Sequence, residues 1–164
     1  MEKKDRRPIQ TIIIGDGMVT EVDPPRLIGS YCAVCEFYHF PEAATCPYCG
    51  AFGPLTTELS SRGRLWAWTA VHASPPGYRG GVPYGFGVVE LPERLRVVTR
   101  LTEAEPSRLD FDQPMHLEVV ALHRDDDGRA VLTYAYAPDG VMAADQAAGV
   151  GAAVAGASGG AQPA

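Results

Sequence analysis

Alternation of apolar and polar residues is the main pattern in the middle of the chain. Across residues 95–101 the sequence LRVVTRL places leucine, valine and threonine on one side and Arg96 and Arg100 on the other. A period of two residues is that of a β-strand with one buried face. No stretch of this region has the period of a helix, so the pattern predicts five successive strands at residues 64–72, 84–91, 95–101, 115–123 and 130–136.

Five short strands in so short a span predict a small barrel of the OB kind. Gly85 and Gly87 fall on one face of the second strand, where a small barrel must coil tightly or admit another backbone. Residues 125–128, Asp-Asp-Asp-Gly, predict the hairpin turn before the last strand. Trp66 and Trp68 are expected on the same side of the first strand, in the barrel core or at a partner interface.

All four cysteines of the chain lie upstream of the barrel, in the two pairs CAVC and CPYC, as Cys32, Cys35, Cys46 and Cys49. Two CxxC pairs separated by about ten residues can place four thiolates tetrahedrally around one ion. We therefore predict a zinc ribbon, in which the metal folds a segment too short to bury its own core. The second pair, followed by glycine, also suits a rubredoxin-type iron site, so zinc against iron stays open.

Other uses of the cysteines fit the sequence less well. A disulfide would suit a secreted chain, but the first ten residues are charged and contain no apolar signal segment. Redox CxxC motifs usually occur singly, at a helix start after a strand. A site closed by four thiolates has no open position for a substrate, so we expect a structural metal. His39 lies between the pairs and is expected to be a loop residue, not a ligand.

The two ends of the chain differ from the middle in composition. Residues 1–25 form an extension, in which a Gly-Asp-Gly turn at residues 15–17 predicts a short β-hairpin. The last segment is rich in alanine and glycine and suits a flexible linker, or a marginal helix that orders on a partner. The predicted organisation is all-β, with an N-terminal four-cysteine zinc ribbon followed by a five-stranded OB-fold barrel: extension 1–25, ribbon 26–57, barrel 58–137 and tail 138–164.

Composition and charge narrow the classes of function. The chain has 164 residues, of which 46% are hydrophobic and 21% charged, as in a globular protein. No apolar run approaches the roughly 18 residues that span a bilayer, so we expect a cytoplasmic protein with no membrane association. The formal net charge of −6 argues against nucleic-acid binding, which generally needs a basic stripe, and residues 26–54 contain a single basic residue.

The chain offers no self-sufficient catalytic apparatus. The four cysteines are assigned to the metal, and no Ser-His-Asp or Cys-His arrangement stands out. His72, His116 and His123 fall in predicted strands, where structural or surface roles are expected. We therefore do not expect an enzyme that acts by itself.

The order of modules and the amino-acid sequence of the first three barrel strands resemble those of the DUF35 family. Its members are zinc ribbons fused to an OB-fold and associated with acyl-CoA enzymes. The residues that carry the resemblance, over roughly 28–137, are CAVC, CPYC, the intervening Phe40-Pro41, RGRLWAWT at 62–69 with Val71-His72, PPGY at 75–78 and PYGFGVVEL at 83–91. Two turns depart from the family pattern, because Pro92-Glu93-Arg94 and Asp112-Gln113-Pro114 stand where a glycine is usual. The extension 1–25 stands where members often begin with a helix bearing a Tyr-Trp motif.

The resemblance implies a non-catalytic accessory subunit of a thiolase-type acyl-CoA enzyme. A thiolase-fold partner in a hetero-oligomer would supply the catalytic cysteine and histidine, and this chain would scaffold it and help to hold the CoA part of the substrate. The departures from the family pattern point to a divergent branch, such as the thiolases of anaerobic aromatic degradation. Two alternatives from other classes are a free-standing module that binds acyl-CoA or single-stranded nucleic acid, and a rubredoxin-like electron carrier with iron on the four cysteines.

A site for CoA needs arginines for phosphate and an apolar or aromatic groove for the pantetheine arm. Loops at one end of an OB barrel commonly contact ligands, and the loop after the first strand contains Tyr78 and Arg79. We expect Arg79 to bind phosphate, with Tyr78 and Tyr84 lining the groove. Arg96 and Arg100 share the outward face of the third strand, as further CoA contacts or as a solvated face.

Overall fold

The computed structural model describes residues 12–13 and 17–140. These residues are folded almost entirely as β-strands, with one short 3₁₀ turn at Pro106–Arg108. The strands are β1 (Ile12–Ile13), β2 (Ile28–Tyr31), β3 (Tyr38–His39), β4 (Leu55–Glu58), β5 (Arg62–Val71), β6 (Tyr84–Glu90), β7 (Arg96–Leu101), β8 (Pro114–Arg124) and β9 (Ala130–Pro138). The all-β prediction is confirmed.

Strands β5 to β9 close a five-stranded barrel. Neighbouring strands are antiparallel in the pairs β5–β6, β6–β7, β8–β9 and β5–β8, and β7 runs parallel to β9 where Leu101 faces Tyr136. The order around the barrel is therefore first, second, third, fifth, fourth and back to the first, which is the OB arrangement. Each of the five predicted strands begins and ends within two residues of the observed one.

The predicted alternation of the third barrel strand is confirmed. Val97, Thr99 and Leu101 are buried in the barrel, while Arg96 and Arg100 lie on the outer face. The same core includes Leu65 and Met115 from the neighbouring strands, both fully buried. Because side chains alternate between the two faces, every second residue of β6 and β7 is presented to the outside of the barrel.

A β-bulge at Trp66 separates the two tryptophans. Leu65 pairs with Val89 and Ala67 with Val88, so Trp66 has no opposite residue on β6. The extra residue reverses the alternation. Trp66 consequently lies on the outer face, 43% exposed, whereas Trp68 packs against the core. The prediction that the two rings face the same way is wrong for this reason.

Gly85 and Gly87 lie on the inner face of β6, where the barrel is tightest. A Cβ atom at Gly87 would lie 2.6 Å from the carbonyl oxygen of Ala67 and 2.9 Å from Cδ1 of Leu101. A Cβ atom at Gly85 would collide with the backbone carbonyl of Glu103. The close backbone approach expected from the sequence is therefore present at both positions.

The ribbon is a three-stranded sheet in the order β3–β2–β4, and its core continues into that of the barrel. Leu27 and Leu59 are fully buried in the shared cluster. The ring of Phe40 meets that of Tyr134 on β9 edge to face, with centroids 5.7 Å apart. Glu93 accepts hydrogen bonds from the backbone and hydroxyl of Ser60, at 2.8 and 2.7 Å, and so fixes the segment that joins ribbon to barrel.

The N-terminal strand belongs to the barrel sheet. β1 runs parallel to β9, with Ile12 opposite Val131 and Ile13 opposite Leu132. The second arm of the predicted hairpin pairs with the segment that follows it, since Val19 bridges Leu27. The rest of that prediction, the turn at residues 15–16, lies outside the described residues, and so does the tail from residue 141 onward. Within the described residues no helix is long and apolar enough to cross a membrane.

Three turns shape the surface of the barrel. Gly128 closes the β8–β9 turn by donating its N–H to the carbonyl of Asp125 at 3.0 Å, as the sequence predicts. Arg94 and Asp112 have left-handed backbone, with φ of 58° and 64°. Glycine adopts this conformation most easily. These turns therefore keep a glycine-like shape while presenting an arginine and an aspartate.

Candidate metal centre and ligand-binding faces

The four cysteine sulfurs form one cluster. Sγ of Cys32 lies 3.6 Å from that of Cys49, Sγ of Cys35 lies 3.6 Å from that of Cys46, and all four atoms are within 4.8 Å of one another. Four thiolates at zinc-bonding distance on a tetrahedron are about 3.8 Å apart. A disulfide would need sulfurs at about 2.05 Å, and all four cysteines are free. The arrangement fits one thiophilic metal ion.

Both halves of the cluster are built on the same backbone loop. In the first loop the carbonyl of Cys32 accepts a hydrogen bond from the N–H of Glu36 at 2.8 Å, and the N–H of Cys32 donates to the carbonyl of Phe37 at 3.0 Å. In the second loop the carbonyl of Cys46 accepts from the N–H of Gly50 at 3.0 Å, and the N–H of Cys46 donates to the carbonyl of Ala51 at 2.8 Å. The residue four positions on has left-handed backbone in both loops, with φ of 61° at Glu36 and 75° at Gly50. The two pairs therefore form matching knuckles that face each other.

The thiols do not ionise equally without a cation. The backbone amide of Cys35, ahead of opposing desolvation, lowers the pKa of Cys32 to about 7. At Cys35 the amide of Phe37 favours the thiolate, but desolvation and the neighbouring sulfurs outweigh it and raise the pKa to about 12. A divalent metal offsets the effect of desolvation and of the neighbouring sulfurs, because it coordinates the thiolates directly and so favours their ionised form. His39 stands outside the cluster, buried in β3 with Nδ1 3.2 Å from the carbonyl oxygen of Pro41.

Three of the five residues predicted to bind CoA come together on the outer face of the barrel. The ring of Tyr78 lies 5.1 Å from that of Tyr84, centroid to centroid. The guanidinium of Arg100 lies 4.6 Å from the centre of the Tyr84 ring and donates to the phenolic oxygen of Tyr78 at 2.5 Å. We call these three residues the tyrosine platform. Arg100 has no carboxylate partner among the described residues, so the platform presents an unneutralised cation.

Arg79 lies beside the platform but is turned away from it. Its Nη1 is 3.1 Å from a carboxylate oxygen of Asp126 in the β8–β9 turn, and both side chains are exposed. This ion pair connects the loop between β5 and β6 to the loop between β8 and β9. These two loops flank the ligand-binding face of OB folds. Arg100 is thus the arginine that contacts both tyrosines, whereas Arg79 is paired with Asp126, and phosphate binding by Arg79 stays a prediction.

Arg96 lies at the far end of β7, four residues and about 13 Å from Arg100. Its guanidinium is 4.1 Å from the centre of the Trp66 ring and 2.7 Å from a carboxylate oxygen of Glu90. Arg96 also lines a cleft of about 660 Å³. We call this the arginine cleft, and its main polar and aromatic walls are Arg62, Arg64, Arg94, Arg96, Trp66 and Phe111.

The arginine cleft was not predicted from the sequence. Arg62 and Arg64 are two positions apart on β5, whereas Arg94 lies in the turn before β7 and Arg96 begins that strand. β6 separates β5 from β7, and Glu90 of β6 stands between Arg64 and Arg96 in the register. Phe111 lies in the loop that precedes β8. The strand order and these turns bring the residues together, and no local pattern in the sequence marks them.

Two family models match the chain, one for each module. The model described as the ChsH2 rubredoxin-like zinc ribbon domain matches residues 20–54. The model described as the ChsH2 C-terminal OB-fold domain matches residues 56–120. The two matches meet at residue 55, where β4, the last strand of the ribbon sheet, begins.

Relatives of known name match both modules. The benzoylsuccinyl-CoA thiolase subunit BbsA of Thauera aromatica is 28% identical over 137 residues, which cover 82% of this chain and 93% of BbsA. A DUF35 domain-containing scaffold protein of Pyrococcus furiosus is 32% identical over 118 residues, covering 69% of this chain and 83% of that protein. The chain spans only 29% of a probable enoyl-CoA hydratase alpha subunit of Thermomonospora curvata, at 32% identity over 93 residues and 57% of this chain.

One solved structure supports the same assignment. A chain described as an Ltp2-ChsH2(DUF35) aldolase superposes with a TM-score of 0.52 at 27% sequence identity. The superposition covers 69% of this chain and 84% of that chain.

Proposed function

Because the chain belongs to the DUF35 family of zinc-ribbon and OB-fold proteins, we propose that it is a non-catalytic accessory subunit of a thiolase-type acyl-CoA enzyme. It scaffolds a thiolase-fold catalytic partner in a hetero-oligomer and helps to bind the CoA part of the substrate. The observation that carries this proposal is the similarity to a thiolase subunit over 93% of that subunit's length, through ribbon and barrel alike.

The placement of the cysteines supports a non-catalytic role for this chain and a catalytic role for its partner. All four cysteines of the chain lie in one cluster suited to a metal. None is left to act as the nucleophile that a thiolase needs, so the catalytic cysteine comes from the partner. The metal is a structural zinc ion, because a closed set of four thiolates leaves no position for a substrate. Four free thiols also suit a cytoplasmic location.

The tyrosine platform supports a contact with CoA. Arg100 is half-buried and held by Tyr78 and Tyr84, yet no carboxylate among the described residues neutralises it. A fixed guanidinium with free donors binds phosphate well, and the tyrosine rings offer an aromatic wall to the pantetheine arm. Tyr84 on β6, Arg100 on β7 and Tyr78 in the loop before β6 form the platform, and OB folds use this face and this loop for ligands.

The decisive experiment is purification of the tagged full-length chain from its own host, followed by native mass spectrometry and metal analysis of the same sample. We expect one zinc ion per chain and a stable complex with a thiolase-fold protein. The complex should cleave an acyl-CoA in the presence of free CoA, and the chain alone should show no turnover. A chain recovered without such a partner would contradict the scaffold role, and bound iron would favour the electron carrier instead.

The CoA contact is tested separately in the purified complex. Replacement Arg100→Gln should raise the KM for the CoA substrate about tenfold, since one charge-assisted hydrogen bond is lost. Arg108→Gln is the matched control, because Arg108 is an exposed arginine that is paired with Glu103 and is not one of the three platform residues. Equal KM values for both variants would remove Arg100 from the proposed site.

A further inference from the structure

The arginine cleft is a second ligand-sized site on the barrel, separate from the tyrosine platform. It lies between the β6–β7 turn and the loop that precedes β8, and its volume of about 660 Å³ suits a small molecule. Arg96 at its wall and Arg100 at the platform occupy opposite ends of the outer face of β7. A ligand in the cleft therefore does not need the platform residues.

Three of the four arginines of the cleft are in ion pairs, and the fourth is not paired with any described residue. Three ion pairs hold three of the arginines, Arg62 to Asp139 at 2.7 Å, Arg64 to Asp112 at 3.2 Å and Arg96 to Glu90 at 2.7 Å. Arg94 has no ion-pair partner anywhere in residues 12–13 and 17–140. Four arginines against three carboxylates leave the cleft with one net positive charge, which Arg94 carries, in a chain whose net charge is −6.

The backbone of the cleft is strained at two points. Only three described non-glycine residues have left-handed backbone, and two of them, Arg94 and Asp112, line the cleft. Such a conformation costs of order 1 kcal/mol for a residue with a Cβ atom. At Arg94 it sets the exposed, unpaired side chain at the end of the tight turn between Leu91 and Leu95. At Asp112 it directs both the backbone carbonyl and the carboxylate to Arg64, at 2.9 and 3.2 Å.

Two aromatic rings complete the walls. Trp66 is turned out of the barrel by the β-bulge, and its ring is 4.1 Å from the guanidinium carbon of Arg96. Phe111 is 68% exposed, so its ring is accessible to a ligand in the cleft. Flat rings beside guanidinium groups suit a ligand that combines an aromatic base with phosphate, since the base stacks and the phosphate takes charge-assisted hydrogen bonds.

We propose that the arginine cleft binds a nucleoside phosphate. Arg94 takes the phosphate, Trp66 and Phe111 stack with the base, and the carboxylates of Glu90 and Asp112 accept hydrogen bonds from sugar hydroxyls or an exocyclic amine. The two sources of this chemistry are a free nucleotide and the phosphorylated adenosine end of CoA. A polynucleotide is disfavoured, because three carboxylates line the cleft and the chain is acidic.

Intrinsic fluorescence gives a direct test on the full-length zinc-loaded chain, because the chain has two tryptophans and only Trp66 faces the cleft. Adenosine 3′,5′-bisphosphate, ATP, CoA, adenosine and inorganic phosphate are titrated in turn, with calorimetry in parallel. We expect saturable quenching by the nucleotides and weaker binding of adenosine or phosphate alone. The variant Trp66→Phe should lose the quenching, and Arg94→Gln should weaken binding about tenfold while Arg108→Gln leaves it unchanged.

The ligand series also separates the two sources and the two proposals. Tighter binding of CoA than of ATP identifies the adenosine end of CoA as the occupant, and the reverse identifies a free nucleotide. The proposal fails if no nucleotide binds saturably, if phosphate alone binds as tightly as the nucleotides, or if Arg94→Gln has no effect. None of these failures bears on the catalytic partner, which is detected by co-purification. Loss of CoA binding in Arg100→Gln but not in Arg94→Gln would support the platform as the CoA site and exclude CoA as the occupant of the cleft.

Discussion

The guanidinium of Arg100 donates a hydrogen bond to the phenolic oxygen of Tyr78, which lies 22 positions earlier in the chain. The bond ties the loop between β5 and β6 to the outer face of β7. It holds a cation in place without adding a negative charge, because a tyrosine hydroxyl accepts the bond as a neutral group. The site is therefore built before any anion arrives, and the fixed donor loses little freedom on binding.

Replacement Tyr78→Phe should test this positioning. The ring contact with Tyr84 remains, but Arg100 loses the partner that fixes it. We expect the affinity for a CoA ester to fall about threefold by calorimetry, less than the tenfold expected for Arg100→Gln. Tyr48→Phe, at an exposed ribbon tyrosine, is the matched control. An equal loss in Tyr78→Phe and Arg100→Gln would mean that the hydroxyl itself contacts the ligand.

Removal of the metal should unfold the ribbon and leave the barrel intact. The knuckle hydrogen bonds of Glu36 and Gly50 depend on the cysteine loops, whereas the barrel closes through its own strand pairs. We expect a strong chelator, or Cys49→Ser, to abolish amide protection at Glu36 and Gly50 in hydrogen exchange, with protection of β6 and β7 unchanged. Restoration on adding zinc is the control. Simultaneous loss of protection in β6 would show that ribbon and barrel unfold as one unit.

Gly87→Ala should destabilise the barrel. The added methyl group meets the carbonyl oxygen of Ala67 at 2.6 Å and Cδ1 of Leu101 at 2.9 Å. Overpacking of this kind costs about 1–3 kcal/mol, measured as the free energy of unfolding in denaturant. Gly81→Ala is the matched control, since a methyl group there meets nothing within 4 Å. Equal stability of the two variants would mean that β6 can move away from β5 at no cost.

Tyr136→Phe should stabilise the protein, and more so at high pH. The Tyr136 hydroxyl is buried with no hydrogen-bond partner among the described residues, so its removal should raise the free energy of unfolding by about 1 kcal/mol. Burial, and then the charge of Glu93, hold the pKa of Tyr136 well above its usual range. The tyrosine therefore ionises near pH 10 in the unfolded chain and at higher pH in the folded one.

The sign of the pH effect follows from proton binding. Above about pH 10 the folded protein keeps a proton that the unfolded chain has lost, so wild-type stability falls by up to about 1.4 kcal/mol per pH unit from this group. Phenylalanine carries no such proton, and the difference between variant and wild type should widen as the pH rises. The variant Tyr48→Phe is measured in parallel, as the control for the titration of other groups. A constant difference between pH 8 and pH 11 would contradict the prediction.

Period and spacing predicted most of the fold. The alternation in residues 95–101 identified a strand with one buried face, and the cysteine spacing identified the metal cluster, because both depend on local geometry. The β-bulge at Trp66 was not predictable, since one unpaired residue leaves no mark in the pattern of side-chain types. The partner of Ile12–Ile13 was missed for a related reason, because a parallel pairing with β9 joins segments at opposite ends of the described chain.

The grouping of the residues named for the CoA site was predicted in part, and their binding of CoA stays a prediction. Tyr78, Tyr84 and Arg100 meet because the loop after β5 folds back over β7, which the OB order already implies. Arg79 and Arg96 were expected beside them, but carboxylates at Asp126 and Glu90 hold them elsewhere. Sequence position does not reveal which acidic side chain is nearest to an arginine in the fold. Side-chain pairing across distant loops therefore decided the outcome at these two positions.

The parallel pairing of β1 with β9 attaches both ends of the ribbon segment to the barrel sheet. The chain starts its described course beside the closing strand of the barrel, leaves to build the ribbon and returns at Arg62 to begin β5. The ribbon is thus an excursion whose two ends are fixed to one sheet. When its metal is lost it becomes a closed loop instead of a free end, and a closed loop has less entropy to lose on refolding. A finished barrel consequently keeps the four cysteines close together, ready to take up the metal at a late stage of assembly.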